Sequence, residues 1–214
     1  MKSFVVIGLG RFGTRLAKKL YAMDCEVLAV DIDNEKVQQI ADDVTQAVSG
    51  DARDKDVLRA LGVRNCDCAI VCIASDLSSS IFITMTLKEL DVPYIVAKAQ
   101  GVMHQRILEK LGANNVVIPE QEMADRLAHK LVAPNILDYI EISDDYSLVE
   151  EQAPEVWVNK SIKDLSVRSR LGISIIAVKN GKNINIAPGA DYVVKHGDIL
   201  VIVGKYEALA KLRK

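Results

Sequence analysis

From Lys2 to about Pro134, short apolar runs alternate with stretches whose apolar residues recur at helical spacing. The runs are S-F-V-V-I-G, E-V-L-A-V-D, T-Q-A-V-S-G-D, C-A-I-V-C-I-A, Y-I-V-A-K-A and N-N-V-V-I-P. Several are apolar at consecutive positions and hence on both faces, as parallel strands covered on both sides must be. Between them, Arg11–Met23 carries Leu16 and Leu20 four apart, and Val57, Leu58 and Leu61 form a second stripe. Ile81, Met85 and Leu90 form a third, with Ser78–Ser80 as its expected cap. Six strand–helix units in this order predict an α/β fold, a Rossmann doubly wound parallel sheet.

The pattern then changes. Q-E-M-A-D-R-L-A-H-K-L-V opens just after Pro119 with acids at its start, as a helix N-terminus prefers, and Met123, Leu127 and Leu131 recur every four residues. Pro134 disfavours helix at Ala133 and should end it. This gives a first domain over 1–134 that includes the helix and a second over 135–214. The second opens on I-L-D-Y-I-E-I and is β-rich after Asp144. I-S-I-I-A-V-K, then N-G, then K-N-I-N-I predicts a hairpin turning at Asn180-Gly181, the preferred type I′ pair. G-D-I-L-V-I-V-G predicts another strand and Y-E-A-L-A-K-L-R-K a closing amphipathic helix, which makes a smaller α+β domain.

Composition narrows the classes. The chain has 214 residues, 50% hydrophobic and 26% charged, with a net charge of −2. That is room for one large or two small domains, is not disordered, and gives no reason to expect nucleic acid as a partner. No apolar run approaches the ~20 residues that cross a bilayer. The opening M-K-S-F-V-V-I-G lacks a signal-peptide cleavage site, so a cytosolic protein is expected, with docking on a membrane protein left open. Cys66 and Cys68 form C-x-C rather than C-x-x-C, Cys25 stands apart, and only three scattered His are present. Buried, inert thiols are expected, with Cys68 and Cys72 on one strand face.

The chemistry concentrates at residues 6–13, V-I-G-L-G-R-F-G. After a strand and before a helix, Gly8 permits a tight turn, Gly10 lets a pyrophosphate approach the backbone, and Gly13 lets helix and sheet pack closely. The helix N-terminus supplies N–H donors and partial positive charge. Asp31, 18 residues after Gly13, stands where an acid accepts from ribose hydroxyls, and its charge disfavours a 2′-phosphate. Asp33 reads equally as a helix cap. Asp51 and Ala52 fall at the sheet edge where an adenine would lie; Asp51 could accept from the exocyclic amine or cap the D-K-D-V-L helix. Arg11, inside the loop, and Lys98, at the end of the fifth strand, flank the phosphate path, although exposed salt bridges are the usual fate of such side chains. Glu120 begins the helix after the sixth strand, where a favourable charge at a helix N-terminus accounts for it.

No catalytic residue is expected. The sequence lacks a Ser-His-Asp order, a P-loop lysine and an H-x-x-x-H pair, and His104 is the only histidine near the site. A dehydrogenase needs an acid or base beside its nicotinamide, and the second domain is too small to carry a substrate site. The chain reads as a sensor that binds a nucleotide without transforming it. An NAD-dependent oxidoreductase and a free-standing transcriptional or metabolic sensor are the alternatives.

G-L-G-R-F-G, V-D-I-D, G-D-A-R-D, V-A-K-A-Q, I-P-E-Q-E-M-A-D-R-L-A-H and N-I-L-D-Y-I-E-I resemble the RCK (regulator of K⁺ conductance) proteins of bacterial potassium uptake, closest to the Ktr gating subunits and more distantly TrkA. The resemblance covers essentially the whole chain, an RCK N-domain followed by an RCK C-domain. It implies dimers formed through the helix after the sixth strand and assembled into an octameric ring. That ring would dock at the cytoplasmic face of the membrane on a K⁺-translocating subunit of the KtrB/TrkH type. ATP and ADP would compete in the Rossmann cleft, with NAD or NADH also associated. The cleft would be lined by Phe12, Asp31, Ile32 and Asp33, by Asp51 and Ala52, by Ile73, Ala74 and Ser75, and by Lys98, Ala99, Gln100 and His104. Arg11 would reach a γ-phosphate across the dimer, and Glu120 would help hold a divalent cation, Mg²⁺ or Ca²⁺. Arg168 and Ile162 match a cyclic di-AMP pocket, but Ser174 stands where the family has an asparagine, which leaves that ligand open.

Overall fold

All six apolar runs of the first half become strands. In the computed structural model, which describes residues 1–132, 136–143 and 145–210, β1 (Ser3–Ile7), β2 (Glu26–Asp31), β3 (Gln46–Ser49), β4 (Cys68–Val71), β5 (Ile95–Lys98) and β6 (Asn115–Val117) form one sheet. Its order is β3-β2-β1-β4-β5-β6 and its pairings are parallel. The doubly wound expectation holds, and the order reverses beside β1, where such sheets bind ligands at their carboxyl ends. The chain divides into two compact units, Met1–Gln121 and Glu122–Lys214.

The strands are apolar throughout because each face packs a separate core. Val5, Ile7, Ala69, Val71 and Ala97 meet Leu58, Ile83, Leu87 and Leu108 on one side. Val6, Val27, Ala29, Cys68 and Ile70 meet Ala17, Val37 and Ile40 on the other. The helices are α1 (Arg11–Tyr21), α2 (Asn34–Ile40), α3 (Lys55–Ala60), α4 (Leu77–Glu89) and α5 (Val102–Lys110).

Helix α4 departs from expectation twice. Its cap is Asp76, which accepts from the Ser79 N–H at 3.1 Å, and not one of Ser78–Ser80. Its buried residues include Ser80, Ile83, Thr84 and Leu87, while Met85 is exposed. Ser80 and Thr84 are small enough to fit under the helix; Thr84 Oγ1 donates to the Ser80 carbonyl at 2.8 Å, while the Ser80 hydroxyl is buried without a partner. They therefore line the core without leaving a hydrophobic stripe in the sequence.

The four cysteines are free thiols. Cys68 and Cys72 pack into the same core cluster, as even spacing required. Burial pushes the Cys68 thiol up to about 11 and Cys72 up to about 12. The thiolate is the reactive form. Both cysteines should thus resist Ellman's reagent at pH 8 in the native protein and react in guanidinium, with mass spectrometry reading the labelled sites. Rapid native labelling of either would contradict this packing.

The second unit contains α6 (Pro119–Val132) beyond Gln121, then β7 (Ile136–Glu141), β8 (Tyr146–Gln152), the short α7 (Ile162–Leu165) and α8 (Val167–Leu171), β9 (Ile173–Asn180), β10 (Asn183–Ile186), β11 (Ile199–Lys205) and α9 (Tyr206–Ala210). Its sheet is antiparallel in the order β10-β9-β11-β8-β7. Val149, Leu165, Val167, Ile173, Val178, Leu200, Ile202 and Leu209 form its core, with Trp157 packed against them. The expected break at Pro134 and the last residues of the closing helix lie outside the described residues.

The β9–β10 hairpin turns one residue later than expected. Asn180 pairs with Asn183, so the loop is Gly181-Lys182 with Gly181 at φ +57. A glycine at the first loop position suits a two-residue hairpin. Asn180 stays in the strand because its side-chain amide donates to buried Asp198 at 2.6 Å. In α6, Met123, Leu127 and Leu131 do form a stripe, but all three are exposed. Among the described residues, no helix is long and apolar enough to cross a membrane.

Candidate nucleotide-binding site

Strand β1 delivers the chain into the glycine loop at the carboxyl edge of the sheet. Gly8 has φ +97 and donates to the Val30 carbonyl at 2.8 Å; a Cβ there would come within 2.7 Å of Ile73. A Cβ on Gly13 would lie 1.9 Å from the Gly8 carbonyl oxygen. At Gly10 a Cβ would meet nothing within 4 Å, so open space lies above the loop. Helix α1 starts at Arg11, with Gly10 at the N-cap offering no side-chain cap and no acid in the first turn. Its first N–H groups and its dipole are thus left for an anion, and this cradle fits a phosphate.

The acid at the end of β2 is built into the loop. Asp31 accepts from the Leu9 N–H at 2.5 Å with one oxygen and from the Asp33 N–H at 2.9 Å with the other. Asp33 caps α2 by accepting from Glu35 N–H, and that bond holds its carboxyl below the usual range. Lys36 lies 3.3 Å from Asp33 and 3.9 Å from Asp31. Ile32 is exposed at the rim.

Asp51 does not cap α3; Asp54 does, accepting from Asp56 N–H at 2.8 Å. Asp51 is instead gripped by Arg53, whose side chain donates from Nε at 2.9 Å and Nη2 at 2.7 Å. That side-chain bond holds the Asp51 carboxyl below its ordinary value. Neighbouring Ala52 is in the core. Ile73 abuts Gly8, Ala74 is buried and Ser75 is exposed.

At the end of β5, Ala99 is buried and Gln100 is exposed. The Gln100 N–H donates to His104 Nδ1 at 3.3 Å, which puts the imidazole proton on Nε2. His104 is 5% exposed, and burial lowers its pKa, which favours the neutral imidazole. Lys98 and Glu120 meet at 2.5 Å, and the Lys98 ammonium stands 5.6 Å from the Phe12 ring. The Lys98 hydrogen bond, with a smaller contribution from the Arg11 charge, holds Glu120 below the usual carboxylate range. The loop, Asp31, Lys98 and Glu120 therefore lie along one edge.

The described residues of one chain do not by themselves assemble a divalent-cation site. Among the described residues, no group of three or more His, Cys, Asp or Glu is arranged to hold a metal. The carboxylate expected to serve is already paired with Lys98. Sequence reading missed Lys36 and Arg53, the cations seated on the expected ligand acids. A signal existed for Lys36, three residues beyond Asp33 at the start of a helix, but not for Arg53, which meets Asp51 two residues away in a turn outside any helix.

Along the α1 face of the sheet, an open groove of about 650 Å³ runs from Phe12 and Val117 near this edge past Phe4, Leu16, Leu20, Ile70 and Val96 to Lys2, Asp67 and Tyr94 at the amino ends of the strands.

Residues 4–119 match the TrkA-N domain and residues 147–214 the TrkA-C domain. The chain belongs to the TrkA family. It is 43% identical over 213 residues to Ktr system potassium uptake protein C of Bacillus subtilis, covering 100% of this chain and 96% of that protein. It is 43% identical over 203 residues to Ktr system potassium uptake protein A of the same organism, covering 95% and 91%. A structure of the GsuK channel bound to NAD superposes with a TM-score of 0.67 at 21% identity, covering 99% of this chain and 39% of that one. This last likeness shows the fold alone, within a chain more than twice as long.

Proposed function

We propose that this chain is a non-enzymatic regulatory subunit of a Ktr-type potassium uptake system, working at the cytoplasmic face of the membrane. It binds adenine nucleotides in the first unit and tells ATP from ADP, with NAD or NADH as further ligands of the same cleft. The carrying observation is the uncapped α1 N-terminus behind the open Gly10 loop, with Arg11 and Lys98 beside it. The relatives named as potassium uptake proteins over nearly their full length support the partner: a membrane K⁺-translocating subunit of the KtrB/TrkH type.

The oxidoreductase reading is disfavoured on chemistry. Buried His104 spends Nδ1 on a backbone N–H, which is poor placement for a base at a substrate. The assembly reading draws on two apolar contacts. Met123, Leu127 and Leu131 on α6 match in character the groove lined by Leu16, Leu20 and Ile70, and pairing them between two chains makes a homodimer. Exposed Phe82 on α4 and Val102 and Met103 on α5 supply a second contact for an octameric ring. A divalent cation in such an assembly would take its remaining oxygens from nucleotide phosphates and a facing protomer. In the second unit Arg168 is exposed on α8 and Ser174 half-buried in β9, with Ile162 opening α7; cyclic di-AMP stays an open ligand there.

A nucleotide moves a gate only by binding its two states unequally, and about 1–3 kcal/mol per site is a usual coupling. Titration calorimetry with ATP, ADP and NADH tests the reading, and binding weaker than millimolar by all three would sink it. Arg11→Ala is expected to weaken ATP about tenfold and ADP by less than about threefold, the loss of one charge-assisted contact. Equal losses would remove Arg11 from the terminal phosphate.

A further inference from the structure

Two residues expected as ligand contacts are spent on each other. Lys98 ends β5 and Glu120 is the second residue of α6, yet their side chains meet at 2.5 Å. The partners are unequally held. The Lys98 side chain is 14% exposed and lies against the Phe12 ring of the glycine loop, while Glu120 is 69% exposed. The ammonium is therefore fixed beside the phosphate cradle and the carboxylate is the member free to swing away.

Resting on the nucleotide-sensing reading above, we propose that Glu120 is a latch on Lys98, opened by the terminal phosphate of a nucleoside triphosphate. The ligand's oxygens replace the Glu120 carboxylate at the ammonium, exchanging one charge-assisted hydrogen bond for another. Glu120 competes with the phosphate, since the two anions need the same cation. A diphosphate lacks the terminal group and its charge, so it is the weaker competitor. Once displaced, the carboxylate keeps a favourable position at the positive end of α6. Arg11 adds to the same field, as its charge already acts on Glu120. Helix α6 carries the chain from the first unit into the second, so the displaced contact is at the start of the segment that joins them.

The test is nucleotide titration of the full chain in EDTA, which removes any contribution of a divalent cation. Four proteins are compared: wild type, Glu120→Gln, Lys98→Met and the double variant. Glu120→Gln keeps the shape and removes the competing charge, and should tighten ATP about fivefold and ADP less than about twofold. Lys98→Met should weaken ATP about tenfold. In the Lys98→Met background the glutamine should change ATP affinity by less than about twofold, because nothing is left to release.

If Glu120→Gln weakens ATP or leaves it unchanged while the wild type binds, the latch is wrong and nucleotide sensing stands. A fivefold gain that persists without Lys98 also overturns it, since plain repulsion between Glu120 and the phosphates then accounts for the gain. If the wild type binds neither nucleotide, the underlying reading fails and takes the latch with it. Far-UV circular dichroism melts establish that each variant is folded.

Discussion

Gly13→Ala is expected to abolish nucleotide binding and to destabilise the first unit by roughly 3 kcal/mol or more, beyond ordinary overpacking because the new methyl strikes the Gly8 backbone. Gly13 lies in α1, where alanine is favoured over glycine by about 1 kcal/mol, so propensity alone predicts stabilisation. Geometry reverses the sign. The new methyl would sit 1.9 Å from the Gly8 carbonyl oxygen and 3.1 Å from Cys72 Cβ. Neither is the far end of a flexible side chain. Helix α1 must lift from the β1 loop, and the cradle opens as it lifts. Gly10→Ala is the control with the opposite split. Its Cβ meets nothing within 4 Å, so the melting temperature should hold while phosphate access is lost. Far-UV melts and ATP titration measure both. The single tryptophan, Trp157, packs in the core of the second unit and reports that unit's integrity independently. A Gly10→Ala protein that binds ATP like the wild type would mean that phosphates do not approach there.

The first unit was legible for a physical reason. A parallel strand covered on both faces must be apolar throughout, and six such runs separated by helical stretches admit few arrangements. The glycines carried the site for a similar reason: backbone requirements at Gly8 and Gly13 leave no other residue. Helix α4 was misread because its buried side includes Ser80 and Thr84, whose small polar side chains look like surface in a sequence. The hairpin turn slipped by one residue because the decisive partner, Asp198, is 18 positions away. Asp51 was wrongly offered to α3 as a cap because two aspartates compete for that role within four residues, and only Asp54 stands beside the helix start. The pairing of Lys98 with Glu120 is illegible for a general reason: spacing along the chain says nothing of which charged ends meet at a sheet edge.

Asp198→Ala is expected to destabilise the second unit by about 3–5 kcal/mol, as breaking a buried charged network does. Asp198 is 0% exposed. Its carboxylate accepts from Asn180 Nδ2 at 2.6 Å, Tyr192 OH at 2.8 Å and Lys195 N–H at 2.9 Å. Alanine would leave these donors without the acceptor that ties the β9–β10 turn to the start of β11. The network also sets two pH limits. Burial pushes the Asp198 carboxyl up, but the bonds from Asn180, Lys195 and Tyr192 outweigh it and hold it below its ordinary 3.8. A carboxyl lowered in the folded state stabilises above its unfolded pKa and loses that contribution as pH falls through the folded value. The deficit of the alanine variant should therefore be constant from pH 7 to about 4 and shrink in stronger acid. Tyr192 is raised to about 12, by burial first and then by Asp198. A raised tyrosine stabilises below its unfolded pKa, here the ordinary 10.0, so the second loss runs upward from there toward about 12. Urea unfolding followed through Trp157 at pH 3, 7 and 11 resolves both limbs. A deficit equal at all three would show that Asp198 acts by packing alone, and that its charge contributes nothing to holding the hairpin.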